Sequence, residues 1–198
     1  MVAALAGVYV ARMVNQPPVP SLESGTSLPA ARPLPEFSLL DTHGAAASPA
    51  TLRGHATLVF FGFTHCPDVC PTTLALLASV QKQAALQDKK LSGLKVAFIS
   101  VDPERDTPEQ LGRYIASFGG DLIGLTGNAP EIVKATRAFG VATARVDLAG
   151  GDYTMDHSAA VFALDSQARI VAIFTPPLSA AALTRDMARL APMLIPGA

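Results

Sequence analysis

The sequence predicts an α/β fold, a central mixed β-sheet flanked by helices. Two short runs, Leu58-Val59-Phe60-Phe61 and Val96-Ala97-Phe98-Ile99, are apolar without alternation, the pattern of strands covered on both faces. Segments with helical spacing and capping signals separate these runs and follow them. Near the C-terminus, two strand-like stretches joined by Asp165-Ser166-Gln167-Ala168 form an antiparallel hairpin, which makes the sheet mixed.

The composition suits one folded domain with a tail. Of 198 residues, 49% are hydrophobic and 16% charged, which excludes a disordered chain. A net charge of -1 argues against nucleic-acid binding, which needs a basic face. Residues 2–11 are apolar and uncharged, yet ten residues at about 1.5 Å each do not cross a hydrocarbon core of about 30 Å. Residues 1–14 are therefore expected to be a partial hydrophobic anchor or leader. Prolines 17, 18, 20, 29, 33 and 35 favour extended backbone, so residues 15–32 are expected to be a linker and 33–196 the folded domain.

Within that domain, Pro35 to Asp41 alternates briefly and ends in Thr42-His43-Gly44, an edge hairpin arm. Residues 57–63 form the first buried strand. Pro71 is placed at the first position of a helix carrying Leu74, Leu77, Ala78, Gln81 and Ala84. Residues 94–101 form the next strand. Thr107 and Gln110 have capping-box spacing, with Pro108 at the first helical position and Glu109 complementing the dipole. After a short strand at 122–125, Asn128 opens a helix that Gly140 closes. Residues 141–153, with Gly150-Gly151, are expected to form a mobile loop. Residues 159–164 and 169–175 make the closing hairpin, and Ser179 caps a last helix.

Chemistry concentrates at Cys66 and Cys70, the chain's two cysteines, in the turn that follows the first buried strand. In open α/β sheets, ligands gather beyond the carboxyl ends of strands, and a helix start favours thiolate. Three intervening residues let the two sulfurs close a disulfide or bind one metal ion, and the spacing forces neither. Four histidines could add a ligand. His43 and His55 lie in loop-like contexts and are expected to be solvated. His65 ranks second, because neighbouring side chains on extended backbone point to opposite faces. His157, in Asp156-His157-Ser158 just before a strand, is the choice. Two thiolates and an imidazole suit copper: soft sulfur favours Cu(I), imidazole serves Cu(I) and Cu(II), and structural zinc usually takes a fourth protein ligand. Asp156 is a candidate to orient the imidazole or to tune the site from behind. Met155 is a candidate weak axial contact, with a core or gap-filling role preferred.

Phe63-Thr64-His65-Cys66-Pro67-Asp68-Val69-Cys70-Pro71-Thr72-Thr73-Leu74 closely resembles the signature of the Sco/SenC family, copper-handling factors for cytochrome c oxidase assembly. Ser100 to Pro108 matches a second family stretch and Tyr153 to Ser158 a third. The resemblance implies a thioredoxin-like fold, an N-terminal anchor in the inner membrane, and a domain facing the bacterial periplasm. It implies copper bound by Cys66, Cys70 and His157, with the copper-bearing subunit of cytochrome c oxidase and other copper chaperones as partners. The same pair supports an alternative, a thiol-disulfide oxidoreductase acting on the oxidase or other envelope thiols. The chain departs from the family at Ala142, where an aromatic residue is frequent, which bears on how the loop near His157 packs.

Overall fold

A computed structural model describes residues 19–196. The expected anchor or leader at 1–14 lies outside the described residues. Among those described, no helix is long and apolar enough to cross a membrane.

Among the described residues, ten strands and four α-helices follow in order. The strands are β1 (Gly25–Pro33), β2 (Leu39–Asp41), β3 (Ala46–Ala47), β4 (Thr57–Gly62), β5 (Lys95–Ser100), β6 (Leu122–Thr126), β7 (Thr143–Asp147), β8 (Tyr153–His157), β9 (Val161–Leu164) and β10 (Arg169–Phe174). The helices are α1 (Val69–Gln87), α2 (Pro108–Ala116), α3 (Ala129–Phe139) and α4 (Ala180–Leu194). Eight strands form one sheet in the order β1-β10-β9-β4-β5-β6-β2-β3. β4, β5 and β6 run parallel at its centre, and the remaining pairings are antiparallel.

The apolar runs form the central strands because every residue of β4 is buried, alternate side chains entering opposite faces. Phe61 meets Phe139 of α3 and Phe162 on one face, and Phe60 meets Phe98 on the other. Tyr114 of α2 packs on Phe98, and α1 packs beside α4. Each such buried aromatic contributes about 1.5–3 kcal/mol through the apolar area it removes from water. The capping signals hold. Thr107 and Gln110 form a reciprocal capping box, Asn128 accepts the Glu131 amide, and Ser179 accepts that of Ala182. Gly140 ends α3 at φ 77°, where a side chain would be strained.

Three expectations change. Part of the proline-rich stretch is not a linker: β1 pairs with β10, and the register shifts between Ser27 and Arg32. Pro29 sits in that irregular part of an edge strand, where no ladder donor is required. The buried carboxylate of Asp186 on α4 leads the chain in, accepting the amides of Glu23 and Ser24 at 2.8 Å each and the Ser24 hydroxyl at 2.8 Å. Residues 141–153 are not a structureless loop. β7 and β8 pair over five residues as a separate two-stranded hairpin, with Gly150 and Gly151 at its tip. Helix α1 begins at Val69, ahead of Pro71, which still falls in the first turn where its missing N–H is not needed.

Candidate metal centre

The cysteine turn starts where β4 ends. The Cys66 amide donates to the Phe63 carbonyl at 3.2 Å, turning the chain into α1. Cys70 lies in the first turn of α1, fully buried, while Cys66 is half-buried at the mouth. The free amide of Cys70 donates to Cys66 Sγ at 3.4 Å, so a helix-start donor serves that sulfur. Burial pushes the Cys70 thiol far above its ordinary range, and the neighbouring Cys66 adds to the effect. Gly62 makes room for it: a Cβ there would stand 2.7 Å from Cys70 Sγ and 2.7 Å from the Phe98 ring.

His157 arrives from 87 residues away, as the last residue of β8, with Nε2 3.5 Å from Cys70 Sγ. Its Nδ1 lies 3.2 Å from the Ser158 carbonyl, which can only accept. The ring proton therefore sits on Nδ1, and the Nε2 lone pair faces the sulfur. Phe60 and Phe63 meet the ring edge-on at 5.9 and 6.1 Å, fixing its plane. Burial lowers the His157 pKa, partly opposed by the Ser158 carbonyl and the charge of Asp156. Cys70 is thus the hub, touching His157 on one side and Cys66 on the other. A cleft of about 210 Å³ lined by Phe63, Cys66, Met155 and His157 opens beside them.

Asp156 does not orient the imidazole by a hydrogen bond. It is exposed and alternates to the other face of β8, so the Ser158 carbonyl holds Nδ1 and Asp156 acts through charge alone. His65 is bonded to the Thr64 hydroxyl at 3.1 Å and lies 3.9 Å from Asp106. His43 is exposed, and His55 bonds Thr57 at 3.0 Å. Among the described residues, the group of three whose donor atoms all lie within 4.8 Å of one another is His65, Asp102 and Asp106, and not Cys66, Cys70 and His157. Both carboxylates there are already used. Asp106 accepts from Thr64 N, Thr64 Oγ1 and Ser100 Oγ, and Asp102 from Arg105 and Tyr153. Sequence reasoning missed this network. Its signal is the polar stretch from Ser100, the last residue of β5, to Asp106, in which Ser100, Asp102 and Asp106 are themselves buried.

The donor set fits a soft metal. Two sulfurs and an imidazole with its lone pair turned inward are ligands that copper accepts in a partly shielded cleft.

The family model described as SCO1/SenC matches residues 26–192. The chain belongs to the SCO1/SenC family. The SCO2-like protein RP587 of Rickettsia prowazekii is 40% identical over 146 residues, covering 73% of this chain and 70% of that one. The mitochondrial SCO2 homologue of Bos taurus is 37% identical over 160 residues, covering 78% of this chain but only 58% of that longer protein. The structure of Bradyrhizobium japonicum ScoI with copper bound superposes with a TM-score of 0.70 at 39% identity, covering 79% of this chain and 98% of that one. The fold is therefore thioredoxin-like, as the sequence implied. Ala142 is tied down through its backbone: its amide donates to Ser158 Oγ at 3.2 Å, and its carbonyl accepts the Ser158 amide at 3.0 Å.

Proposed function

We propose that this Sco protein binds copper through Cys66, Cys70 and His157 and delivers it to the dinuclear copper centre of cytochrome c oxidase. The contact that carries the reading is Cys70 Sγ to His157 Nε2 at 3.5 Å, with the imidazole proton held on the far nitrogen. The copper-bound Bradyrhizobium relative supports the choice of metal. Copper is cargo here. Loading displaces the proton of the buried Cys70 thiol, while His157 is already neutral and needs no deprotonation. Release proceeds by ligand exchange, a recipient ligand entering at the half-buried Cys66 before the buried Cys70 lets go. The recipient is the copper-bearing subunit, and other copper chaperones supply the metal. The domain works in the periplasm, tethered to the inner membrane through the segment that includes residues 1–14.

The test is metal analysis with absorption spectra of the protein loaded with copper, repeated for Cys66→Ala. A sulfur-to-copper charge-transfer band should appear and be lost in the variant. Failure of the reduced full-length chain to retain copper would sink the proposal.

The asymmetry of an accessible Cys66 beside a buried Cys70 also favours a second reading, a thiol-disulfide reductase. Cys66 thiolate would attack a partner disulfide, and Cys70 would then displace the mixed disulfide. The partner gains two thiols, and Cys66 and Cys70 become a disulfide. Counting recipient thiols decides: copper transfer leaves the number unchanged, and reduction raises it by two.

A further inference from the structure

His157 rides on a hairpin that lies outside the main sheet, and a lone two-stranded hairpin is marginally stable in water. Something must hold it over the cysteine turn. At the His157 end, the Ala142 amide on the Ser158 hydroxyl and the Ser158 amide on the Ala142 carbonyl close the hairpin against its own chain. At the Tyr153 end, the anchor comes from another element. Arg105, in the turn after β5, donates from Nε to Asp102 Oδ2 at 2.6 Å and from Nη1 to the Tyr153 carbonyl at 3.0 Å. Nη1 also reaches Asp152 Oδ1 at 3.3 Å. The Arg105 guanidinium lies 3.7 Å from the centre of the Tyr153 ring, and the Tyr153 hydroxyl returns a hydrogen bond of 2.7 Å to Asp102. Arg145, also 3.7 Å from the ring centre, covers the other side and pairs with Glu104 at 3.0 Å. The next residue, Asp106, grips Thr64 in the cysteine turn at 2.6 Å. One short segment thus holds both halves of the centre. Arg105 Nη2 is buried with no acceptor, an expense that ordinary surface ion pairs avoid.

We propose that Arg105 is a positioning residue: by clamping Tyr153 to Asp102 it holds the β7–β8 hairpin so that His157 stays over Cys70. The inference rests on His157 acting as a ligand. The guanidinium fork and its flat stacking face are both used, so lysine is no substitute.

The experiment compares the full-length apo protein with Arg105→Met and Arg105→Lys by amide hydrogen exchange. Exchange in β7 and β8 should rise about 10-fold or more in both variants while β4, β5 and α1 keep their rates. Copper affinity of Arg105→Met should fall about 10–100-fold, the range seen when the groups that orient a ligand are lost, although Arg105 acts on His157 through the hairpin and not by direct contact. The double variant Arg105→Met/His157→Ala should bind copper as His157→Ala does. Unchanged hairpin exchange, a double-variant loss equal to the sum of the single losses, or unfolding of both single variants would each overturn the proposal. If His157→Ala alone leaves affinity unchanged, the ligand assignment fails, and hairpin exchange still decides whether Arg105 is the clamp.

Discussion

Cys70 Sγ and His157 Nε2 stand 3.5 Å apart, brought together from the first turn of a helix and the end of a hairpin strand. Burial acts on the two in opposite senses, keeping the thiol protonated and the imidazole unprotonated. Both are therefore neutral near neutral pH, and a soft cation entering between them replaces one thiol proton.

Removing the imidazole tests that geometry most directly. His157→Ala should lower copper affinity by at least about 100-fold, beyond the range for loss of an outer partner. The fold should survive, because His157 lies on the separate hairpin and not in the main sheet. Competition titration against a chelator of known affinity measures the first, and far-ultraviolet dichroism the second.

The same pair sets the pH dependence of the apo protein. The folded Cys70 pKa is raised above its unfolded value near 8.5, so its contribution to stability is complete below about pH 8.5 and lost as pH rises. The folded His157 pKa is lowered below about 6.5, so its contribution is complete above about pH 6.5 and lost as pH falls. Urea midpoints measured across pH should show both limbs. Cys70→Ser should flatten the alkaline limb and His157→Gln the acid one. Copper affinity should also fall on acidification, since thiolates are the binding form.

Asp186 carries a prediction about the N-terminal edge. Its buried carboxylate accepts three hydrogen bonds from Glu23 and Ser24 and pairs with Arg189 at 3.0 Å. Asp186→Ala should cost about 2–4 kcal/mol, the loss of hydrogen bonds to a charged acceptor offset in part by relief of its own desolvation. Limited proteolysis should then cut within residues 19–33 first, leaving a core that begins near β2. Equal protease resistance in the variant would show that β1 holds without this anchor.

That edge also marks where sequence reading stopped. β4 and β5 were legible because burial on both faces removes polar alternation, and α2, α3 and α4 because Thr107, Asn128 and Ser179 announce their starts. β1 was hidden by Pro29 and Pro33, which argue against a strand unless it lies at an edge with an irregular register. The β7–β8 hairpin was hidden because most of β7 is exposed, leaving no apolar face to recognise. The proposed ligands Cys66 and Cys70 could be chosen by residue type, and His157 by its place just before a strand. Arg105 could not, since its partners Tyr153 and Asp152 become visible only when the chain brings residues 47 and 48 positions away beside it. The Ser158 carbonyl that orients His157 is main chain, and no residue type signals it.

Gly62 yields the sharpest prediction, because it separates stability from site geometry. A Cβ at this position would stand 2.7 Å from Cys70 Sγ and 2.7 Å from Phe98 Cε2, inside any real contact distance. Overpacking of this kind costs about 1–3 kcal/mol. Phe98 is wedged between Phe60 and Tyr114, whereas Cys70 Sγ faces His157, which lines the cleft, so the sulfur is what should yield. A ligand displaced by roughly 0.5 Å or more leaves productive geometry. Gly62→Ala should therefore lose about 10-fold or more in copper affinity while still folding, with X-ray absorption showing an altered sulfur shell. Gly93→Ala is the control, since nothing lies within 4 Å of its Cβ position. If Gly62→Ala binds copper as tightly as Gly93→Ala, the space beside β4 does not set the position of Cys70, and the tight approach of strand to sulfur is a matter of packing only.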